Sequence, residues 1–124
     1  MLETITAALA RQARERPDAL ALIAGGVRLT WREAKDWVVR AAGWLRALGL
    51  ARGAPVLGWL PNSVEWYLVR WACEQAGLFW IPIPTSQGSR ELSSIIERIR
   101  PAVLITPGRF RERDYAAECD VICA

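Results

Sequence analysis

Few folds accommodate the run APVLGWLPNSVEWYLVRWACEQAGLFWIPIP between Ala54 and Pro84. Pro55 to Leu60 is a short apolar segment halted by Pro61-Asn62, the pattern of a strand running into a turn. Asn62, with Glu65 three residues on, predicts a capping box at the start of a helix. Val64, Trp66, Tyr67, Leu68, Val69, Trp71, Ala72, Cys73 and Ala76 then place apolar groups on nearly every side of that helix. Such a helix is covered on more than one face. Gly77 supplies the left-handed residue that ends it. Leu78 to Ile83 is apolar without alternation, as in a strand buried on both faces of a parallel sheet. The unit is βαβ, and its crossover is expected to be right-handed.

The flanking sequence extends this alternation. Leu2 to Glu15 carries Ile5, Ala8, Leu9 and Ala13 at helical spacing, with Thr4 or Thr6 as cap and Pro17-Asp18 as stop. Ala19–Ile23 and Val27–Thr30 read as strands joined by the turn Ala24-Gly25-Gly26. No G-x-G-x-x-G or P-loop spacing follows those glycines, so a hairpin is preferred to a phosphate cradle. Thr30-Trp31-Arg32-Glu33 opens a long helix with a capping box. Its apolar stripe is Ala34, Trp37, Val38, Ala41, Leu45 and Leu48, and Arg32, Lys35, Asp36, Arg40 and Arg46 form a solvated face. Gly49-Leu50 closes it.

Past Pro84, Thr85-Ser86-Gln87-Gly88-Ser89 lies beyond the carboxyl end of a parallel strand, where open α/β sheets place ligands. A loop with Ser89 as helix cap is preferred there to an anion-binding loop. Arg90 to Arg100 is an amphipathic helix with Leu92, Ile95, Ile96 and Ile99 on one face, stopped by Pro101. Ala102 to Thr106 reads as another buried strand, and Arg109 to Glu118 as a charged helix anchored by Phe110 and Tyr115. Asp120 to Ala124 reads as the beginning of one more strand. The class is α/β: a mainly parallel sheet flanked by helices, with a short antiparallel hairpin near the N-terminus, all in one domain over 1–124. A chain of this length buries roughly 60 to 70% of its unfolded surface.

Composition removes several functions. Sixteen basic against 13 acidic residues leave a charge of +3, dispersed over every helix, which argues against a nucleic-acid partner. Prolines or charges interrupt the apolar runs before any reaches the length of a membrane span. The start, MLETITAALARQARERPD, lacks the basic and apolar regions of a secretory signal, so a cytoplasmic location is expected. Cys73, Cys119 and Cys123 have no disulfide-framework spacing, and a metal site is disfavoured against ordinary buried thiols. The absence of histidine removes Ser/His and Cys/His nucleophiles.

Several residues, in order, resemble the N-terminal portion of the AMP-forming adenylating enzymes, the superfamily of acyl-CoA synthetases, luciferases and peptide-synthetase adenylation domains. They are Pro17-Asp18, Ala19-Leu20, Leu29-Thr30-Trp31-Arg32-Glu33, Leu48-Gly49-Leu50, Gly53 with Val56, and Leu60-Pro61-Asn62-Ser63 with Glu65. Ala76-Gly77, Pro82-Ile83-Pro84, Glu91-Leu92 and Val103-Leu104-Ile105 complete the series. Trp31 stands where the family usually has tyrosine, and Ala54-Pro55 where an acidic residue is frequent.

The resemblance implies an incomplete N-terminal subdomain of that fold. It also implies a parent that joins a carboxylic acid to AMP and then to CoA, using ATP, Mg and CoA, in fatty acid metabolism or a related route. The family's phosphate loop ending in lysine, its ribose-gripping acidic residue and its mobile C-terminal domain match nothing here. The only lysine, Lys35, lies on a solvated helix face. Motif matching therefore assigns no catalytic, cofactor-binding or metal-ligating residue and no cofactor to this chain, which is expected to be non-catalytic alone. Expected partners are the remainder of the parent enzyme or another copy, through exposed apolar surface. A stand-alone interaction module that keeps the scaffold is the alternative. A flavodoxin-like nucleotide binder is disfavoured, because the first βα turn is Pro61-Asn62-Ser63 without phosphate-binding glycines.

Overall fold

A computed structural model describes residues 2–110 and 112–123. In chain order the elements are α1 (Ile5–Glu15), β1 (Leu20–Ala24), β2 (Val27–Thr30), α2 (Trp31–Ala47), β3 (Pro55–Trp59), α3 (Val64–Gln75), β4 (Phe79–Ile83), α4 (Ser89–Ile99) and β5 (Val103–Ile105). A small hairpin, β6 (Arg109–Phe110) with β7 (Arg113–Asp114), precedes α5 (Tyr115–Ile122). β3 lies at the centre of a parallel three-stranded sheet in the order β4-β3-β5, with Val56 opposite both Trp80 and Val103. The expected βαβ unit is therefore present.

Alternation along β3 divides the core. Val56 and Leu60 enter a layer built with α1, α2 and α3, while Leu57 and Trp59 enter one built with α4 and α5. Continuous apolar strands are what a sheet covered on both faces requires. Gly58 falls on the first face, under the indole of Trp80, whose six-membered ring occupies the space a Cβ would take. Trp80 also meets Trp66 of α3 edge-on at 5.9 Å, so β4 packs on α3 through an aromatic contact.

The β1–β2 hairpin is antiparallel and packs on α2 and α3 outside the central sheet. Its turn residues Gly25 and Gly26 have φ of +56° and +80°, the backbone of a tight two-residue hairpin turn. Thr30 Oγ1 accepts the Glu33 N–H and the Glu33 carboxylate accepts the Thr30 N–H, the expected capping box. Thr4 caps α1.

Several local expectations are corrected. Ser63, not Asn62, caps α3. Its Oγ accepts the Trp66 N–H at 3.3 Å and donates to the Pro61 carbonyl at 3.0 Å, so the turn consumes Asn62 before the helix begins. α4 starts at Ser89 with Gly88 as its cap residue and no side-chain cap, because the Ser89 hydroxyl is directed to Glu118. Arg109–Phe110 and Arg113–Asp114 pair as antiparallel strands and not as part of a helix, Arg109 with Asp114 and Phe110 with Arg113. Asp114 then caps α5 by accepting the Ala117 N–H at 3.0 Å. The strand expected at 120–124 is helical through Ile122, with Ala124 outside the described residues. Tyr115 is buried as expected, and the side chain of Phe110 lies outside the described residues. Leu48, assigned to the apolar stripe of α2, is exposed where the helix runs past its neighbours, and Ala42 is buried instead.

Candidate functional site

β3 feeds a helix on one face of the sheet and β5 feeds a helix on the other, so the chain parts between their carboxyl ends. Open α/β sheets bind ligands in such a crevice. Here it is a hollow of about 790 Å³, floored by Leu60, Val69 and Ile105 and flanked by the β1–β2 turn. Its polar groups are few. Ser63 Oγ is committed to the helix cap, and Thr106 Oγ1 donates to the Pro107 carbonyl at 3.3 Å. Asn62 and Glu65 remain, both exposed. Asn62 also borders a second hollow of about 510 Å³ at the carboxyl end of β4, with Trp66, Tyr67 and Pro82.

A nucleoside triphosphate with Mg does not fit the groups present. Among the described residues, no lysine or arginine lines the larger hollow, and its one acidic side chain would repel phosphate. No group of three or more His, Cys, Asp or Glu able to hold a metal occurs among the described residues. What the crevice offers is apolar walls, an amide and a carboxylate.

The loop at 85–89, weighed against an anion site, is held from beneath by Arg113. The Arg113 guanidinium lies against both the Trp59 and Tyr115 rings, 4.7 and 4.8 Å from their centroids, while the two rings meet edge to face at 4.8 Å. Its Nη1 donates to the Thr85 carbonyl at 3.0 Å, and its Nε donates to Glu118 at 2.6 Å. Glu118 also accepts the Ser89 hydroxyl at 3.2 Å. Hydrogen bonding to Arg113 holds the Glu118 carboxyl below its ordinary value. The cation of this cluster is thus neutralised, and a carboxylate faces the loop, which is the opposite of an anion site. The loop reading preferred in sequence is kept, with a different role for Ser89.

The remaining singled-out residues lie apart from these hollows. Lys35 is exposed on α2. Cys73 is buried, and burial pushes its thiol up to about 11, which suppresses the thiolate at neutral pH. Burial also raises the thiol of Cys119, while Cys123 is exposed, and all three thiols are free. Arg46, placed on the solvated face of α2, donates to the Gln75 carbonyl at 2.6 Å and so closes the end of α3. The Arg113 cluster joins residues from four parts of the chain, and sequence spacing carries no signal for it.

The AMP-binding enzyme family model matches residues 9–123. This chain belongs to that family. Its relatives include the 3-[(3aS,4S,7aS)-7a-methyl-1,5-dioxo-octahydro-1H-inden-4-yl]propanoyl:CoA ligase of Mycobacterium tuberculosis, 38% identical over 96% of this chain and 24% of the relative. Another is the human mitochondrial medium-chain acyl-CoA ligase ACSF2, 30% identical over 86% of this chain and 17% of that protein. Among solved structures, the inhibitor-bound N-terminal domain of FACL13 from Mycobacterium tuberculosis superposes with a TM-score of 0.83 at 28% identity. That likeness covers 99% of this chain and 30% of the other. The family has the N-terminal adenylating-enzyme fold expected from the residues. The chain spans about a quarter or less of the length of these two relatives. No described helix is long and apolar enough to cross a membrane.

Proposed function

We propose that this chain is the leading part of a longer AMP-forming ligase and supplies framework, not the groups that handle phosphate. In the parent reaction a carboxylate oxygen attacks the α-phosphorus of ATP and pyrophosphate leaves. A thiol, that of CoA in this reading, then attacks the acyl carbon and AMP leaves. The observation that carries the proposal is the family match across 9–123 in a chain spanning only 24% and 17% of two ligase relatives. The groups lining the crevice agree with it, since a phosphorus centre carrying negative charge needs cationic stabilisation. Residues 1–124 form one subdomain of the parent, which uses ATP, Mg and CoA and works in the cytoplasm, on fatty acids or related carboxylic acids. The parent's further polypeptide is the principal partner.

Two measurements test this. The coding sequence beyond Ala124 is expected to continue in frame into a Ser/Thr/Gly-rich loop ending in lysine. The parent is expected to release pyrophosphate from ATP and a carboxylic acid, while the 124-residue chain alone neither does so nor binds ATP saturably in calorimetry. Pyrophosphate release by the 124-residue chain overturns the framework role.

One observation favours a second reading, a self-associating module: Trp44 is 59% exposed beside an apolar groove along β5. Sedimentation separates the two. A discrete, stable oligomer supports the module, and polydisperse association supports a piece of a larger enzyme.

A further inference from the structure

Both ends of the loop between β4 and α4 are tied to one ion pair. At its start the Thr85 carbonyl accepts from Arg113 Nη1 at 3.0 Å, and at its end the Ser89 hydroxyl donates to Glu118 at 3.2 Å. Arg113 and Glu118 are joined twice, by Nε at 2.6 Å and Nη2 at 3.1 Å. The loop's own bond, Gln87 N–H to the Pro84 carbonyl at 3.0 Å, shapes its turn and reaches no other element. Arg113 is placed in turn by Trp59, the fully buried last residue of β3. Through this cation the loop is therefore set relative to the central strand of the sheet.

The loop forms one wall of the hollow of about 510 Å³ at the carboxyl end of β4, through Thr85 and Ser86. The rings of Trp66 and Tyr67, 5.0 Å apart, form another, over a floor of Leu60 and Ile83. Asn62 adds an amide, and among the described residues no charged side chain lines the hollow. Aromatic and apolar walls with an amide and two hydroxyls match an uncharged, flat group with a polar edge. They do not match a phosphate, which calls for cationic partners. The position, past the end of a parallel strand, is one where open α/β sheets hold ligands.

We propose that Arg113 is a positioning residue of the parent ligase: it fixes the loop wall of this hollow, which takes an uncharged, flat portion of one of the parent's substrates. This rests on the ligase reading above. Arg113 acts through the Thr85 carbonyl and not by touching the substrate. Its loss is therefore expected to weaken the binding of that substrate and to leave the chemical steps at their rate.

Steady-state kinetics of the full-length parent test this, with ATP, the carboxylic acid and CoA varied in turn. Arg113→Met is expected to raise the KM for one of the three about tenfold, with kcat within about twofold. Unfolded protein lowers the apparent kcat and leaves KM unmoved, so the split separates positioning from lost stability. Ser86→Trp, on the exposed side of the loop, fills the hollow and leaves Arg113 in place. It is expected to raise the KM for the same substrate, and which substrate responds identifies the group that the hollow takes. The proposal is overturned if Arg113→Met leaves all three KM values within about twofold, or if it lowers kcat alone. It is equally overturned if Ser86→Trp moves no KM, or moves that of a different substrate. Any of these results in a parent that releases pyrophosphate leaves the ligase reading standing, whereas a parent that releases none removes both.

Discussion

At one border of the central sheet, β4 turns the ring of Pro82 outward, whereas at the other β5 turns outward the amide of Leu104. Phe79 N–H donates to the Ala54 carbonyl at 3.0 Å, so alternation directs residues 79 and 81 to β3 and residue 82 away from it. Pro82 therefore costs the ladder nothing and withholds a donor from any further strand, as prolines in edge strands do. The β4 border is also tied down by Trp80 over Gly58 and, at its carboxyl end, by Arg113 holding the Thr85 carbonyl. No proline interrupts β5 between Val103 and Ile105. One border is finished and the other is open. The difference is that one border withholds a donor from a further strand and the other does not.

The β4 border breaks most severely at Gly58. Gly58→Ala drives a methyl into the Trp80 ring, and the cost of overpacking is expected to be about 3 kcal/mol. Urea unfolding checks this. Adding Trp80→Leu to Gly58→Ala makes room, and the double variant is expected to recover more than half of the loss. A Gly58→Ala variant as stable as the parent sequence removes Trp80 as the tie between β4 and β3.

Arg113 comes next. Arg113→Met keeps an apolar stem against Trp59 and Tyr115 but loses the charge, the carbonyl bond to Thr85 and the pair with Glu118. The expected destabilisation is about 1–2 kcal/mol, with a change in Trp59 fluorescence as the ring loses its cation. The effect is pH-dependent with a definite sign. Glu118 has its carboxyl pKa lowered from 4.5 in the folded state, first by the Arg113 hydrogen bond. Its contribution is present above the unfolded carboxyl value and is lost as pH falls through the lower folded one. The stability gap between the two proteins is thus full at neutral pH and narrows in acid below the range of an ordinary glutamate. A gap that widens on acidification contradicts the pairing.

Much of this organisation was legible in sequence, and its failures share a cause. The unbroken apolar runs at 55–60 and 78–83, the Thr30/Glu33 box and the glycine pair at 25–26 each carry a local signal that tertiary contacts reinforce. The errors fall where a polar side chain had two partners to choose from. Ser63 and Asn62 compete for one cap, and only the bond from Ser63 to Pro61 decides between them. Ser89 would serve as a cap, but Glu118, 29 residues away, takes its hydroxyl. The charged stretch 109–118 has Asp114 as a helix-start signal inside it, and the residues before that cap pair as a hairpin instead of extending the helix. Arg113 looks like one solvated cation among many, because the rings it lies against come from β3 and α5. The candidate crevice was foreshadowed only as a position past the strand ends.

Opening the finished border is a smaller perturbation. Pro82→Ala restores an outward N–H on β4 without touching the bonds to β3. The chief expected change is the greater freedom of the unfolded chain, a loss of about 0.5–1 kcal/mol in urea unfolding. A second effect sharpens the comparison. With both borders open, the variant is expected to self-associate more readily than the original chain at equal concentration in sedimentation velocity, because an unblocked edge strand invites pairing.

The smallest expected change in stability is at Trp44, on the open side. Trp44 is 59% exposed on α2, so Trp44→Gln retains a good helix former and is expected to shift unfolding by no more than about 0.5 kcal/mol. Its consequence is expected in association. If the β5 border is where this chain meets further polypeptide, removing the indole beside Val103 and Ile105 lowers the concentration dependence of sedimentation and leaves the monomer intact. Phe79, 61% exposed at the start of β4, provides the matched control. Phe79→Gln is expected to leave association unchanged, since Pro82 already keeps further strands from that border. Equal effects of the two substitutions would erase the distinction between the borders, because association would then follow exposed aromatic surface and not the direction in which the sheet is open.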